Sequence, residues 1–317
     1  MTDTPVKVGV VGVGSLGQWH ARVYSELDAT ELVGVCDADP ERAREIAERY
    51  GTRMFESIVD LAEAVDAASV AVPTPDHAAV AEILIGKQVH VLVEKPITDN
   101  TEDAARLVAL AREAQVVLQV GHVERFNPVL HFLEEHLETP RFIEAIRLAP
   151  FPPARAGQVP RGTDVSVVLD LMIHDLEIIL HLVRSEVSSV HAIGVPVLTS
   201  SEDIANARIV FESGCVANVT ASRVSHEHMR KVRLFQPDSY VSLDYQSQEG
   251  KLYRKKDGRI LPVEVPIEKG EPLANQLSAF VDCARHRSEP RVSGHHGFAA
   301  LALATEICRL IAEGQTQ

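Results

Sequence analysis

The feature that most constrains the fold is a strand that runs without pause into a glycine-rich turn and then a helix. Val6-Lys7-Val8-Gly9-Val10-Val11 is almost continuously apolar, as expected of a strand covered on both faces of its sheet. It meets Gly12-Val13-Gly14-Ser15-Leu16-Gly17, and a helical stretch begins near Gln18. Gly12 permits a tight turn, Gly14 lets backbone N–H groups approach a pyrophosphate, and Gly17 lets helix and strand pack closely. Ser15 and Leu16 complete the turn and are expected beside the phosphates, where the helix N-terminus adds partial positive charge. A second strand, Glu31-Leu32-Val33-Gly34-Val35-Cys36, ends at Asp37, 20 residues after Gly17. That is the spacing of a carboxylate on the adenosine ribose. Asp37 would accept both ribose hydroxyls and repel a 2′-phosphate, which predicts NAD over NADP. Asp39, just before Pro40, suits the N-cap of the next helix better.

Composition sets limits. A chain of 317 residues has room for two domains with substantial cores. A net charge of −14 argues against nucleic-acid and anionic-membrane partners. No stretch approaches the ~20 apolar residues of a membrane span, and no basic segment precedes an apolar one at the start. Cys36, Cys215, Cys283 and Cys308 are scattered and read as thiols in a reducing cytoplasm. His226-Glu227-His228 has no third ligand that can be named, so no metal is expected.

The pattern divides the chain in two, 1–122 and 123–317. Up to Gly121 the elements alternate: helix 15–27, strand 31–36, helix 39–50, a short helix at 57–64, strand 68–72, helix 76–86, strand 89–93, helix 100–114 and strand 116–120. This predicts an α/β domain with a doubly wound parallel sheet. Afterwards come helix 128–138, strand 141–149, a Pro/Arg/Gly-rich loop at 150–162 and an apolar helix at 165–183. Strand-like runs follow at 187–197, 204–212, 215–224, 230–236, 239–245, 250–255 and 260–266, with turns at Gly214 and Asp257-Gly258. Helices at 272–286 and 296–312 close the chain. Strands in succession predict an α+β domain with a mostly antiparallel open sheet, one face of which is free to cover a ligand or a second subunit.

Two places carry the chemistry. The strand 89–93 ends in Glu94-Lys95-Pro96, which places an ammonium at the carboxyl edge of the sheet, where ligands bind in such folds. The helix at 165–183 is apolar nearly all round, yet Asp170, His174, Glu177 and His181 recur along one stripe. Buried ionisable groups are costly unless they line a polar cavity. An Asp one turn from a His can orient the imidazole as a general base.

The glycine turn, Glu94-Lys95-Pro96 and Asp170-x3-His174, in that order, resemble the glucose–fructose oxidoreductase / inositol dehydrogenase / rhizopine-catabolism family over the whole chain. The resemblance implies NAD(P)-dependent hydride transfer at a secondary alcohol of a sugar or cyclitol. Lys95 would contact nicotinamide and substrate hydroxyl, His174 would act as acid/base, and Asp170 would bind substrate or tune the pair. Thr74, His77, Glu94 and His122 would complete the cofactor surface. Met172 and Glu177 stand where glycine and aspartate are frequent in the family, and neither change removes a catalytic group.

Gly121-His122-Val123-Glu124-Arg125-Phe126-Asn127-Pro128 is similar to family members acting on UDP-linked N-acetylated sugars. The stretches 147–152, 168–175, 203–208 and 220–224 are similar to those members that oxidise C3 of UDP-N-acetylglucosamine. Those members feed a pyridoxal-phosphate aminotransferase that makes the 2,3-diamino sugar of some lipid A. On this resemblance Arg125 would neutralise the diphosphate and Asn127 would read the acetamido group. Phe126 would stack on a ring or plug the core, and Arg223 would contact the sugar. The expected assembly is a homo-oligomer, dimer or tetramer. Alternative readings are the 3-dehydrogenase of the corresponding UDP-uronic acid, a dehydrogenase of a free sugar or inositol, and a non-catalytic NAD-sensing regulator. The intact Lys95, Asp170 and His174 argue against the last.

Overall fold

A computed structural model describes residues 4–153, 162, 165–264 and 266–314. The chain divides into two compact units, residues 1–126 with 271–298, and 127–270 with 299–317.

In the first unit β1 (Val6–Val11), β2 (Thr30–Cys36), β3 (Arg53–Met54), β4 (Ala67–Val70), β5 (His90–Glu94) and β6 (Leu118–Gly121) form one parallel sheet in the order β3-β2-β1-β4-β5-β6. The order reverses between β1 and β4, and the carboxyl ends of those strands bound the crevice that open α/β sheets use for ligands. The connecting helices are α1 (Gly17–Glu26), α2 (Pro40–Tyr50), α3 (Ile58–Ala62), α4 (His77–Gly86) and α5 (Thr101–Ala114). Asp39, Ser57 and Asn100 cap α2, α3 and α5 by accepting first-turn N–H groups. The sequence pattern misses only β3, because two residues carry no alternation to read.

The units differ from a single cut near residue 122. α8 (Pro272–His286) belongs with the first unit, where Leu277, Phe280 and Val281 pack with Val8, Val10, Tyr24 and Leu92. An amphipathic helix shows in sequence that it has an apolar face, and not which core that face joins.

The second unit contains α6 (Pro128–Glu135), α7 (Ile173–Val183) and most of α9 (Gly294–Gly314). Its eight strands are β7 (Phe142–Leu148), β8 (Val187–Val195), β9 (Ile204–Phe211), β10 (Val216–Ser222), β11 (Met229–Phe235), β12 (Ser239–Asp244), β13 (Glu249–Lys256) and β14 (Arg259–Val263). They run in the order β14-β13-β12-β11-β7-β10-β9-β8, antiparallel except for the β7–β10 pair. Ile143, Ala145, Ile209, Val219 and Leu234 point inward onto Leu176, Ile179, Leu303 and Ile307. On the other face Phe142, Phe235, Tyr240 and Tyr253 form a half-buried ladder with successive ring centroids 5.7, 4.6 and 5.4 Å apart. The turn between β13 and β14 has positive φ at both Asp257 and Gly258, 51° and 71°, the primed hairpin geometry that the Asp-Gly pair predicts.

The expected helix at 165–183 is corrected at its start. α7 proper begins at Ile173 and is preceded by one π-helical turn, Val168–Met172. The hydrophobic pattern cannot distinguish a wide turn from an α turn over five residues. The expected loop at 150–162 lies largely outside the described residues.

Candidate active site

The glycine turn is shaped for a phosphate. Gly12 has φ +82°, and a Cβ there would fall 2.7–2.8 Å from the backbone of Ala71 and Val72; at Gly17 a Cβ would collide with the Gly12 carbonyl. Around Gly14, by contrast, nothing lies within 4 Å of where a Cβ would be. The backbone therefore leaves open space at the one glycine that a pyrophosphate must approach. Asp37, at the end of β2, reaches the same turn: Val13 donates its N–H to Asp37 Oδ2 at 2.6 Å, and Asp39 N–H to Oδ1 at 2.9 Å. Arg42 braces the turn from α2, with Nε donating to the Val13 carbonyl at 2.9 Å and Nη2 to Gln18 Oε1 at 3.0 Å. Ser15 and Leu16 lie in the turn, with Leu16 at the N-cap of α1. These residues fit a dinucleotide.

At the end of β5, Lys95 is half-buried among buried ionisable neighbours. Glu94 Oε1 lies 3.1 Å from His20 Nε2, and Glu94 Oε2 accepts the Lys95 N–H at 3.2 Å. Burial alone would raise the Glu94 pKa, but the hydrogen bond and charge of His20 and the charge of Lys95 outweigh it and hold the carboxyl below its usual value. Gly121 leaves the Glu94 carboxylate its space, since a Cβ there would fall 2.8–3.0 Å from it. Burial, followed by the Lys95 charge, pushes the His122 pKa down to about 3, so its imidazole is neutral. Thr74 opens a short 3₁₀ turn, Thr74–Asp76, after β4.

His77, expected on the cofactor surface, lies between two backbone carbonyls. It is buried, with Nδ1 2.9 Å from the Pro96 carbonyl and Nε2 3.0 Å from the Val72 carbonyl. Burial lowers its pKa, so the neutral ring donates to one carbonyl at a time. His20 escaped the sequence reading. The available signal was its place three residues after Gly17, on the first turn of a helix that packs on the sheet.

In the second unit Asp170 sits in the π turn and His174 in the first turn of α7, both half-buried. The stripe expected to continue along this face divides. Glu177 is buried, and His181 Nε2 lies 2.7 Å from Glu134 Oε1 on α6. Next to His174, Asp175 is also buried and takes two hydrogen bonds from Arg147 on β7, at 2.7 and 3.1 Å. The sequence reading named neither Arg147 nor Asp175 as a pair, because they lie on separate elements.

Four residues expected at the substrate, Arg223, Asn127, Phe126 and Arg125, have partners within the protein. Arg223 is 2 % exposed. Its Nε donates to Asp203 Oδ1 at 2.7 Å, its Nη1 to the carbonyls of Gly162 and Val165, and its Nη2 to Thr199 Oγ1 and Ser201 Oγ at 3.0 Å each. With all three nitrogens committed, Arg223 clamps loops together. Asn127 caps α6 by accepting the Val129 N–H, and its amide donates to the Tyr245 carbonyl at 3.1 Å. Phe126 is buried beneath the Arg291 guanidinium, 5.9 Å from the ring centroid. Arg125 is itself 2 % exposed, with Nη2 donating to the Arg291 carbonyl at 3.3 Å. Among the described residues no three His, Cys, Asp or Glu side chains gather as metal ligands.

Residues 6–122 match the family described as "Oxidoreductase family, NAD-binding Rossmann fold", and residues 134–237 match the GFO/IDH/MocA C-terminal domain. The chain is 37% identical over 309 residues to a UDP-N-acetylglucosamine 3-dehydrogenase of Acidithiobacillus ferrooxidans, covering 95% of this chain and 96% of that one. A solved structure of that enzyme superposes with a TM-score of 0.90 and covers 98% of both chains. An inositol 2-dehydrogenase of Rhizobium meliloti is 25% identical over 97% of each chain. With both domains matched in order and the carboxyl-edge lysine and cofactor turn in place, the chain belongs to the GFO/IDH/MocA family of oxidoreductases.

Proposed function

We propose that this protein is a nucleotide-sugar dehydrogenase that uses NAD to oxidise the C3 hydroxyl of UDP-N-acetylglucosamine to the 3-keto sugar. The observation that carries the reading is the shared full-length architecture with the UDP-N-acetylglucosamine 3-dehydrogenase of Acidithiobacillus ferrooxidans, together with an intact Lys95, Asp170 and His174. Bound NAD supplies the acceptor for the hydride that leaves C3. His174 takes the hydroxyl proton as general base, and Asp170 orients its imidazole. The Lys95 ammonium positions the hydroxyl and stabilises the oxygen as it becomes a carbonyl. Asp37 selects NAD by accepting the ribose hydroxyls.

Oxidation of an alcohol by NAD near neutral pH runs uphill, so the product calls for a consuming partner. A cytoplasmic pyridoxal-phosphate aminotransferase that converts the ketone to an amine, as in 2,3-diamino-sugar synthesis for lipid A, fits that need. A second copy of this chain on the open sheet face gives the expected homo-oligomer.

The test is incubation with NAD and, separately, UDP-N-acetylglucosamine, the corresponding UDP-uronic acid, free N-acetylglucosamine and inositol, followed by reduced-nicotinamide absorbance. A signal confined to UDP-N-acetylglucosamine supports the reading, and a signal confined to another sugar overturns the substrate. No turnover of any, with NAD still bound, favours a regulator.

A further inference from the structure

Lys95 has no long framework of its own: it follows the last residue of β5 and precedes Pro96. Two buried histidines are each bonded to one of its chain neighbours. On the amino side, His20 contacts the Glu94 carboxylate, and that carboxylate accepts the Lys95 N–H. On the carboxyl side, the His77 ring lies against the Pro96 carbonyl and, through its other nitrogen, the Val72 carbonyl. Both histidines are 1 % exposed. They come from different helices, α1 after the glycine turn and α4 after β4.

A buried histidine–carboxylate pair is a poor choice for stability alone, since apolar side chains of similar volume serve as well or better. Here the fold accepts further constraints to keep it. A Cβ at residue 121 would fall 2.8–3.0 Å from the Glu94 carboxylate, and His20 Nδ1 is buried with no hydrogen-bond partner. Such an arrangement does have value where one side chain must be aimed within a fraction of an ångström.

We propose that His20 and His77 are positioning residues that hold Lys95 from both sides, His20 through the Glu94 carboxylate and His77 through the Pro96 carbonyl. Neither touches the reacting atoms. Each fixes the backbone from which the Lys95 side chain departs.

This inference rests on the reading of Lys95 as the group that polarises the substrate oxygen, so the experiment has an arm that needs no substrate. Lysines are dimethylated with ¹³C-formaldehyde, and the Lys95 methyl signal is assigned by its loss in Lys95→Arg. In His20→Ala and His77→Ala that signal should move toward those of exposed lysines, and in His20→Gln and His77→Gln, which keep one donor, it should return. In turnover assays the alanine variants should lose roughly 10- to 100-fold in kcat, the scale of a misaimed catalytic group, while NAD affinity by calorimetry stays unchanged. A folded alanine variant whose Lys95 signal stays in place overturns the proposal for that histidine. So does a glutamine variant that fails to restore it, or a kcat loss matched by equal loss of NAD affinity. Absence of turnover in the parent overturns the dehydrogenase reading alone and leaves the methyl signal to judge the anchoring.

Discussion

Arg147 Nε lies 2.7 Å from Asp175 Oδ2 in a pair whose side chains are only 4 % and 3 % exposed. The pair joins β7 to the turn of α7 that also carries His174. Removing one partner of a buried pair leaves the other charge uncompensated, at a cost of about 3–5 kcal/mol, whereas replacing both with apolar residues is often close to neutral. Arg147→Met and Asp175→Leu should each lower the urea midpoint strongly, and the double variant should recover most of the loss. A double variant as unstable as the sum of the singles would show that the two do not act as a pair.

Cofactor choice should follow Asp37. Its carboxylate already accepts the Val13 and Asp39 N–H groups, so its loss also loosens the turn. Asp37→Ser combined with Ala38→Arg, at an exposed position beside it, is expected to move preference toward NADP by about tenfold or more, since the repulsion of a 2′-phosphate is replaced by attraction. Calorimetry with both dinucleotides checks this, and parental protein that binds NADP as tightly as NAD refutes the role given to Asp37.

His174→Ala should cut kcat by about 10²–10⁴, the usual worth of a general base, with NAD affinity unchanged. Lys95→Ala should damage both turnover and sugar affinity, because a positioned cation contributes in the ground and transition states alike. Steady-state kinetics with direct NAD titration separates the two, and a His174→Ala protein with parental kcat places the base elsewhere.

Acid should weaken the first unit early. Burial is the leading reason that His77, His90 and His122 all sit below the ordinary histidine value of 6.5, His122 at about 3. For His90 the geometry agrees, since Nδ1 accepts the Val117 N–H at 2.9 Å and cannot also carry a proton. Below about pH 6.5 the unfolded chain binds protons more readily than these folded imidazoles, so stability falls with falling pH, and His122, whose folded value is about 3, contributes a slope that approaches about 1.4 kcal/mol per unit. Urea midpoints between about pH 5 and 7 should show this slope, reduced by one histidine's share in His122→Asn. A flat profile would mean that these rings take up protons as readily in the fold as in the unfolded chain.

The aromatic ladder of Phe142, Phe235, Tyr240 and Tyr253 should mark the contact between copies. Tyr240→Lys places a charge in the middle of the stack, and sedimentation should then show a shift from oligomer toward the 34.7 kDa monomer. A parental protein that is already monomeric at micromolar concentration contradicts this assembly.

Local order along the chain was enough to foresee most of the architecture. Strand, turn and helix at 6–17, the alternation up to Gly121 and the run of strands after 187 depend on apolar periodicity and on Gly and Asp-Gly turns, which short windows of sequence contain. The places of Gly12, Gly14, Gly17, Asp37 and Lys95 at strand ends were legible for the same reason, since each sits at a fixed offset from a strand. What only the tertiary structure decided is which polar side chains meet. Arg223 meets Asp203, Asn127 accepts the Val129 N–H, and His77 lies between two backbone carbonyls. His20 and Glu94 lie 74 residues apart and Arg147 and Asp175 lie 28 apart. A buried hydrogen bond between distant residues depends on packing that brings both to one place, and no local pattern in the chain records it. The membership of α8 in the first unit has the same cause: burial is chosen by the core that has room for Leu277 and Phe280, not by nearness along the chain.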